Sequence, residues 1–544
     1  MKTLGTSISL HVLSIFVAAV LAGCGGNSGG SSAPGPANVP ADIQAVFNKP
    51  MYQNVTWGLR VVDNGKALMN LRPNYNFLIG SVRKIFSVSE LLNEVGPTHT
   101  YDTPVYRQGQ ISGAGVLNGD LILVASGDLT MGGRTNPDGS IAISDYDHNE
   151  ADSLGNAVLT APNPLAGYIA LAGQVAAAGI KEITGDVVID DRLFQPYNFR
   201  GEFNLRPIFV NDDAVDLTIN PTTPGSAASV VSRPVSAALA VNSTIVTSAA
   251  DSKYTVQFVP DPEPTCIGTP GCTGVITGNL PIDFVPPLTN SFPVVQTFRI
   301  VQPSNYARTV FIEALQAAGV TVDAPAVEQN PVQLLPAKDS YAADNKVAEL
   351  TGLPYTDYAK LILKVSYNIG ADTSLLLYGL TQGVDNMTDA LNVEKENLAA
   401  HYGIPSDRFD FVDGSGGSFT TATNAVVTKM LDDMTTRPTF ADFFAALPIL
   451  GVDGSLAFVT DFQSDPTLAG ATGQVRAKTG TFVQGTASGP ILKTQALGGY
   501  IDTKSGKHLV FELAVNNVTI SGLSDILQVF QDEGTISAIL WRDN

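Results

Sequence analysis

Along this chain, apolar and polar positions alternate, then run together, then alternate again, and the changes of pattern divide it. From Thr56 the stretch TWGLRVVDNGKALMNLRP reads as two short strands around Asp63-Asn64-Gly65, which predicts a hairpin with a tight turn. The next stretch, NFLIGSVRKIFSVSELLNEV, places Ile85, Val88, Leu91 and Leu92 on more than one helical face, as a buried helix requires. Between about 100 and 355 come short β-runs punctuated by Gly, Pro and Asn, such as GVLNGDLILVASGDL and ITGDVVIDDRLF. One helical stretch, LAGYIALAGQVAAAGI, interrupts them. Helical patterning returns in DTSLLLYGLTQGV and ATNAVVTKMLDDM. QALGGYIDTKSGKHLVFELAVNN then predicts two strands around a Ser505-Gly506 turn, and a helix follows from Leu523 to about Leu540. The economical arrangement is one α/β domain built from residues 41–100 and 356–544, with an antiparallel sheet joining both ends and the β-rich block folding apart.

Composition narrows what such a chain does. At 44% hydrophobic and 15% charged it is globular, and its 544 residues suffice for several cores. Acidic residues outnumber basic ones 51 to 31, for a formal charge of −20, which excludes a nucleic-acid backbone as partner. Lys2 precedes an apolar stretch, HVLSIFVAAVLAG, too short to span a bilayer and placed as a signal peptide is placed. It ends in LAGC, similar to a bacterial lipobox, so residues 1–23 read as a lipoprotein signal peptide and Cys24 as the lipidated residue. Residues 24–40 form a Gly/Ser/Pro tether. This predicts export to the periplasm with a lipid anchor, and Gly25 after the cysteine favours the outer membrane. In that oxidising compartment Cys266 and Cys272, six apart across a Gly/Pro turn, are expected to form a disulfide, not a metal site.

Three short motifs carry the chemistry. Ser81-x-x-Lys84 heads the buried helix; positions i and i+3 share a face, so the lysine reaches the serine hydroxyl. Desolvation and the positive end of the helix disfavour its protonated form, giving a nucleophile with an internal base. Ser366-Tyr367-Asn368 stands before a helix, and Lys478-Thr479-Gly480-Thr481 lies on a predicted strand. S-x-x-K, S-[DN]-N and K-T-G together mark serine β-lactamases and penicillin-binding proteins. A Ser-His-Asp site finds no support, because the five histidines (11, 99, 148, 401, 508) sit in unrelated contexts. Asp190-Asp191 point to opposite faces of a strand, and Asp413 and Asp453 before glycines read as turn residues.

With these motifs in this order, the chain resembles the low-molecular-mass class C penicillin-binding proteins, serine-type D-alanyl-D-alanine carboxypeptidases and endopeptidases. The likeness extends to GDLILVASGDLTMGG, FVDGSGGS, LPILGVDGSLA and VRAKTGTF. About half the chain separates Ser81 from Ser366, and family members of this kind carry two nested extra domains in that gap. The resemblance implies a penicillin-binding, β-lactamase-like α/β domain, with insertion domain II over 101–130 and 240–355 and insertion domain III over 131–239. Departures are Ile79-Gly80 where the family often has Pro-Ala, Leu129 after Asp128, Tyr367 within S-x-N, and an insertion around Ser144–Asn156.

The resemblance also implies roles. Ser81 attacks the penultimate D-Ala carbonyl, Lys84 takes its proton, Ser366 relays a proton to the leaving amine and Asn368 holds the substrate amide. Lys478 keeps the pocket positive, Thr479 and Thr481 offer hydroxyls to the terminal carboxylate, and Gly480 lets the peptide lie against the strand. Backbone N–H groups of Ser81 and Thr481 would form the oxyanion hole. The implied partners are peptidoglycan stem peptides, β-lactams as inhibitors and a membrane through the N-terminal lipid; no cofactor or metal is called for. Two rivals are a serine β-lactamase and a non-catalytic lipid-anchored envelope protein.

Overall fold

In the computed structural model, the residues described are 39–259, 266–487 and 489–544. The signal peptide and Cys24 fall outside them. The chain groups into two compact units, one made of residues up to Ser89 with Glu394–Asn544, the other of Glu90–Val393.

The first unit is built on a five-stranded antiparallel sheet. Its strands are β1 (Thr56–Asp63), β2 (Lys66–Leu71), β3 (Val475–Thr486), β4 (Gly489–Asp502) and β5 (His508–Thr519), in the order β2-β1-β5-β4-β3. β1 and β5 pair from Thr56↔Asn516 to Asp63↔Leu509, so the sheet joins the two ends of the chain as the sequence predicts. The hairpin turn holds Asn64 at φ 48° and Gly65 at φ 75°, both left-handed, which is why Asn-Gly stands there. Helices α1 (Ala41–Phe47) and α5 (Leu523–Asp543) cover one face; Ile43, Phe47, Trp57, Phe511, Leu513, Ile536 and Leu540 share that core. Burying each such side chain contributes roughly 1.5–3 kcal/mol. Helix α4 (Asn424–Met434) covers the other face, where the Tyr500 hydroxyl donates to the Leu431 carbonyl at 2.8 Å. A strand covered on both faces reads apolar throughout. β5 does so from Leu509 to Val515 except at Glu512, which is wholly buried.

The second unit holds a mixed sheet in the order 321–322, 182–183, 116–124, 102–111, 346–351, with 187–190 also beside 116–124. Two three-stranded sheets accompany it: 229–233, 214–220 and 294–299; and 240–248, 273–281 and 257–259. Cys266 and Cys272 are joined as a disulfide. The sheets do not follow the expected line between insertion domains: 182–190 pairs with 116–124, and 214–220 pairs with 294–299, across the boundaries at 130 and 239. Strands distant in sequence complete these sheets, and punctuation between short β-runs carries no information on partners. Contacts also group Tyr355–Lys364 and α3 (Asn368–Thr381) with this unit, although the sequence placed them with the sheet of the first. A helix over Pro303–Ala317 was not expected among the β-runs; eleven of its residues are buried.

Candidate active site

Ser81 lies on a 3₁₀ turn, Gly80–Arg83, which passes directly into α2 (Lys84–Val95). In a 3₁₀ turn, side chains three apart eclipse one another. Lys84 Nζ accordingly lies 2.6 Å from Ser81 Oγ and donates to the Ser415 carbonyl at 2.9 Å. Ser81 is half-buried, whereas Lys84 is 0% exposed, more deeply buried than its place in a first turn suggests.

The segment Phe411–Ser418 secures that lysine. The Asp413 carboxylate accepts from the backbone N–H groups of Ser415 (2.9 Å), Gly416 (2.6 Å) and Gly417 (3.0 Å), which aims the Ser415 carbonyl at Lys84. Arg83 on the serine's own turn donates to the Asp413 carbonyl at 2.9 Å, pairs with Glu394 at 2.6 Å and stacks on Phe411 at 4.2 Å. Burial raises the Glu394 carboxyl, and Arg83 opposes that rise. Asp413 is thus the turn residue the sequence suggested, and also a support of the site. Its signal was the run Asp-Gly-Ser-Gly-Gly, whose successive backbone donors can converge on one carboxylate.

β3 brings the third motif to the same place. A Cβ at Gly480 would overlap the Ile79 carbonyl oxygen, and a Cβ at Gly416 would overlap that of Gly80. Backbone packs on backbone at both positions, which demands glycine. The turn carrying Ser81 is therefore pressed between the K-T-G strand and the Asp413 loop. Lys478 is 0% exposed and donates to the Thr479 carbonyl at 2.8 Å. Thr479 Oγ1 shares a 2.8 Å hydrogen bond with Ser455 Oγ, and exposed Thr481 donates to Gln495 Oε1 at 2.8 Å. β3 is the last strand of the sheet. Its outer edge is covered at the start, where Ala477 N–H donates to the Pro448 carbonyl and Leu450 N–H to that of Val475. From Lys478 to the irregularity between Phe482 and Val483, no strand among the described residues pairs with it.

Behind the lysine stands a group the motifs do not reveal. Lys478, Gly498 and Glu512 form one cross-strand row, and a Cβ at Gly498 would overlap the Glu512 carboxyl. Arg60 is Glu512's cross-strand neighbour on β1, yet the carboxyl leans over Gly498, toward the side of Lys478. Burial pushes Glu512 well above the usual carboxylate range, and neither oxygen has a hydrogen-bond partner among the described residues.

In the second unit Ser366 and Asn368 flank the turn between Tyr355–Lys364 and α3, as expected, with Ser366 left-handed at φ 62°. Tyr367 between them is buried; its N–H donates to the Ile362 carbonyl at 3.1 Å, and its own carbonyl accepts from Ala371 at 3.2 Å. That fixes the turn and leaves its two polar neighbours half-buried.

The same unit contains a buried ionic cluster. Arg134 pairs with Asp147 (2.8 Å) and Asp212, while His148 bonds Asp212 at 2.9 Å and Asp216 at 2.6 Å. Asp147, His148 and Asp212 lie close enough to hold a cation. Their donor atoms are already engaged by Arg134 and by one another, so the set is a charge network pinning the 144–156 segment. Asp190 accepts from Arg192 and Tyr341, and Asp191 from Ser304, consistent with structural roles.

A family model described as D-Ala-D-Ala carboxypeptidase 3 (S13) matches residues 39–529. The chain is 25% identical over 508 residues to a D-alanyl-D-alanine carboxypeptidase of Actinomadura sp. (strain R39), covering 88% of this chain and 80% of that protein. Among solved structures it is similar to penicillin binding protein 4 (dacB) from Haemophilus influenzae, with a TM-score of 0.67 at 16% identity, covering 92% of this chain and 100% of the other. The same Haemophilus protein complexed with a β-lactam gives a TM-score of 0.64 at 17% identity, with 92% and 99% covered. These two likenesses show the fold.

Proposed function

This chain belongs to the D-Ala-D-Ala carboxypeptidase 3 (S13) family of serine hydrolases, and from that premise we propose that Ser81 is the nucleophile acting on peptidoglycan stem peptides ending in D-Ala-D-Ala. The observation that carries the assignment is the 2.6 Å contact of Lys84 Nζ with Ser81 Oγ, beside the open edge of β3. A serine paired with an amine and placed next to an unpaired strand edge suits attack on a peptide that adds to that edge.

Ser81 Oγ bonds to the penultimate D-Ala carbonyl carbon as its proton passes to Lys84 Nζ. The oxyanion is received by the N–H groups of Ser81 and Thr481; losing one such donor costs about 2.7–4 kcal/mol in comparable sites. The C–N bond then breaks, Ser366 relays a proton to the departing D-Ala amine and is itself resupplied with the one taken from Ser81, and Asn368 holds the substrate amide. Lys478 and Thr479 receive the terminal carboxylate. Water hydrolyses the acyl-enzyme. A β-lactam, which mimics acyl-D-Ala-D-Ala, acylates the same serine.

Fluorescent-penicillin labelling of the wild type and of Ser81→Ala tests this reading. Wild type labels and the variant does not; a variant that still labels overturns it. The adduct should last minutes or longer, whereas fast turnover would mark a β-lactamase. Products from purified muropeptides, read by mass, assign carboxypeptidase and endopeptidase activity. The LAGC sequence supports lipidation of Cys24 on the periplasmic side, and Gly25 after it favours the outer membrane. Radiolabelled palmitate should enter the wild type and not Cys24→Ala, and label in both would refute it.

A further inference from the structure

Thr481 sits at the open edge of β3, yet its hydroxyl is turned back into the sheet, where it donates to Gln495 Oε1 at 2.8 Å. Gln495 is its direct partner across β3 and β4 and is 0% exposed. A side-chain carbonyl oxygen only accepts, so the hydroxyl proton of Thr481 is committed to this bond. On its other side the Gln495 amide nitrogen, which only donates, lies beside the carboxyl of Glu533 on α5 without reaching full hydrogen-bond geometry. Glu533 is 1% exposed, and neither its oxygens nor Gln495 Nε2 has another partner among the described residues. The carbonyl oxygen of that carboxyl, which stays an acceptor when the acid is protonated, faces the donor nitrogen. Thr479 is arranged in the opposite sense: Lys478 Nζ approaches its Oγ1 at 3.4 Å as a donor, which leaves the Thr479 proton to Ser455 or to an acceptor in the cleft.

We infer that Gln495 is a positioning residue: it holds the Thr481 proton inside the sheet, so that Thr481 meets the bound peptide as an acceptor of an N–H. The terminal carboxylate is then left to Thr479 and Lys478. This revises the expectation that both threonine hydroxyls serve the carboxylate, and it rests on reading β3 as the strand that binds substrate.

The test compares kcat/KM for an acylated lysyl-D-alanyl-D-alanine peptide with that for its C-terminal amide. Thr481→Val, at an exposed position, keeps the wild-type preference for carboxylate over amide within about threefold, because no hydroxyl proton was serving the carboxylate. Gln495→Leu frees that proton for the carboxylate and raises the preference on the order of tenfold, through KM and not kcat. A tenfold fall in preference for Thr481→Val overturns the inference. So does a folded Gln495→Leu whose preference is unchanged or lowered, since lowering would mean that Gln495 donates to Thr481. If Gln495→Leu does not fold, Thr481→Val decides alone. A wild type that penicillin does not label, and that cleaves neither peptide, refutes the proposed function; a wild type that cleaves both, with the wrong ratios in its variants, refutes only this inference.

Discussion

Asp413 and Lys84 are joined through the carbonyl of Ser415, which the aspartate aims and the lysine binds. The aspartate acts on that carbonyl through three backbone N–H groups. Replacing it by alanine strands those donors in a buried loop, at about 1–3 kcal/mol for each group left unsatisfied. Asp413→Ala is expected to slow penicillin acylation of Ser81 at least tenfold and to lower the melting temperature, while Asp413→Asn, which keeps one acceptor oxygen, falls between. Stopped-flow acylation and thermal denaturation check both, and wild-type rates in a folded Asp413→Ala would refute the link.

Gly480→Ala attacks the site from the other side. The new Cβ meets the backbone of Ile79, which cannot rotate aside as a side chain does. β3 must move away from the turn that carries Ser81, and displacements near 1 Å cost on the order of a hundredfold in rate. Acylation by penicillin should drop by that factor while circular dichroism stays native.

Two buried acids of the first unit, Glu512 and Glu533, set a pH trend. Burial raises both Glu512 and Glu533, and Glu512 adds to the rise of Glu533. Each carboxyl holds its proton more tightly folded than unfolded, where a glutamate titrates near 4.3. Their contribution is therefore fully present below about 4.3 and is lost as pH rises through the folded values. Glu512→Gln, neutral and of equal size, should melt a few °C above wild type at pH 8 and gain less at pH 5. Calorimetry at the two pH values checks it; equal gains at both would contradict it.

His148 runs to a different limit. Desolvation opposes its charge, but Asp216, Asp212 and Asp147 outweigh it and push the imidazole up to about 10. Against an unfolded value near 6.5, its stabilisation is complete below about 6.5 and is lost as pH rises through about 10. His148→Gln removes the cation between Asp212 and Asp216 and leaves arginines alone to balance the buried carboxylates, at a cost of up to about 3–5 kcal/mol near neutrality. The gap from wild type should close above pH 10 in denaturant titrations.

Much of this was legible because it is local. Asn64-Gly65 requires a left-handed turn, Ser81 and Lys84 are three apart on one face, and Cys266 and Cys272 face each other across six residues. What escaped reading depends on partners distant in sequence. Nothing near Glu512 says that Gly498 leaves room for its carboxyl, and nothing near Thr481 says that Gln495 takes its proton. The pairing of 182–190 with 116–124 was hidden for the same reason. Asp413 lay in plain view, but a turn aspartate and a supporting aspartate look alike until the lysine is seen to bind Ser415.

The uncovered stretch of β3 has a cost outside chemistry. An unpaired strand edge is a template on which another copy of the chain can crystallise its own backbone, the first step toward fibrils. Here the segment Pro448–Leu450 caps the edge up to Ala477, and the register shift after Phe482 makes the strand irregular beyond. What stays open accommodates a short peptide tail but offers too little continuous ladder for two copies to zip together.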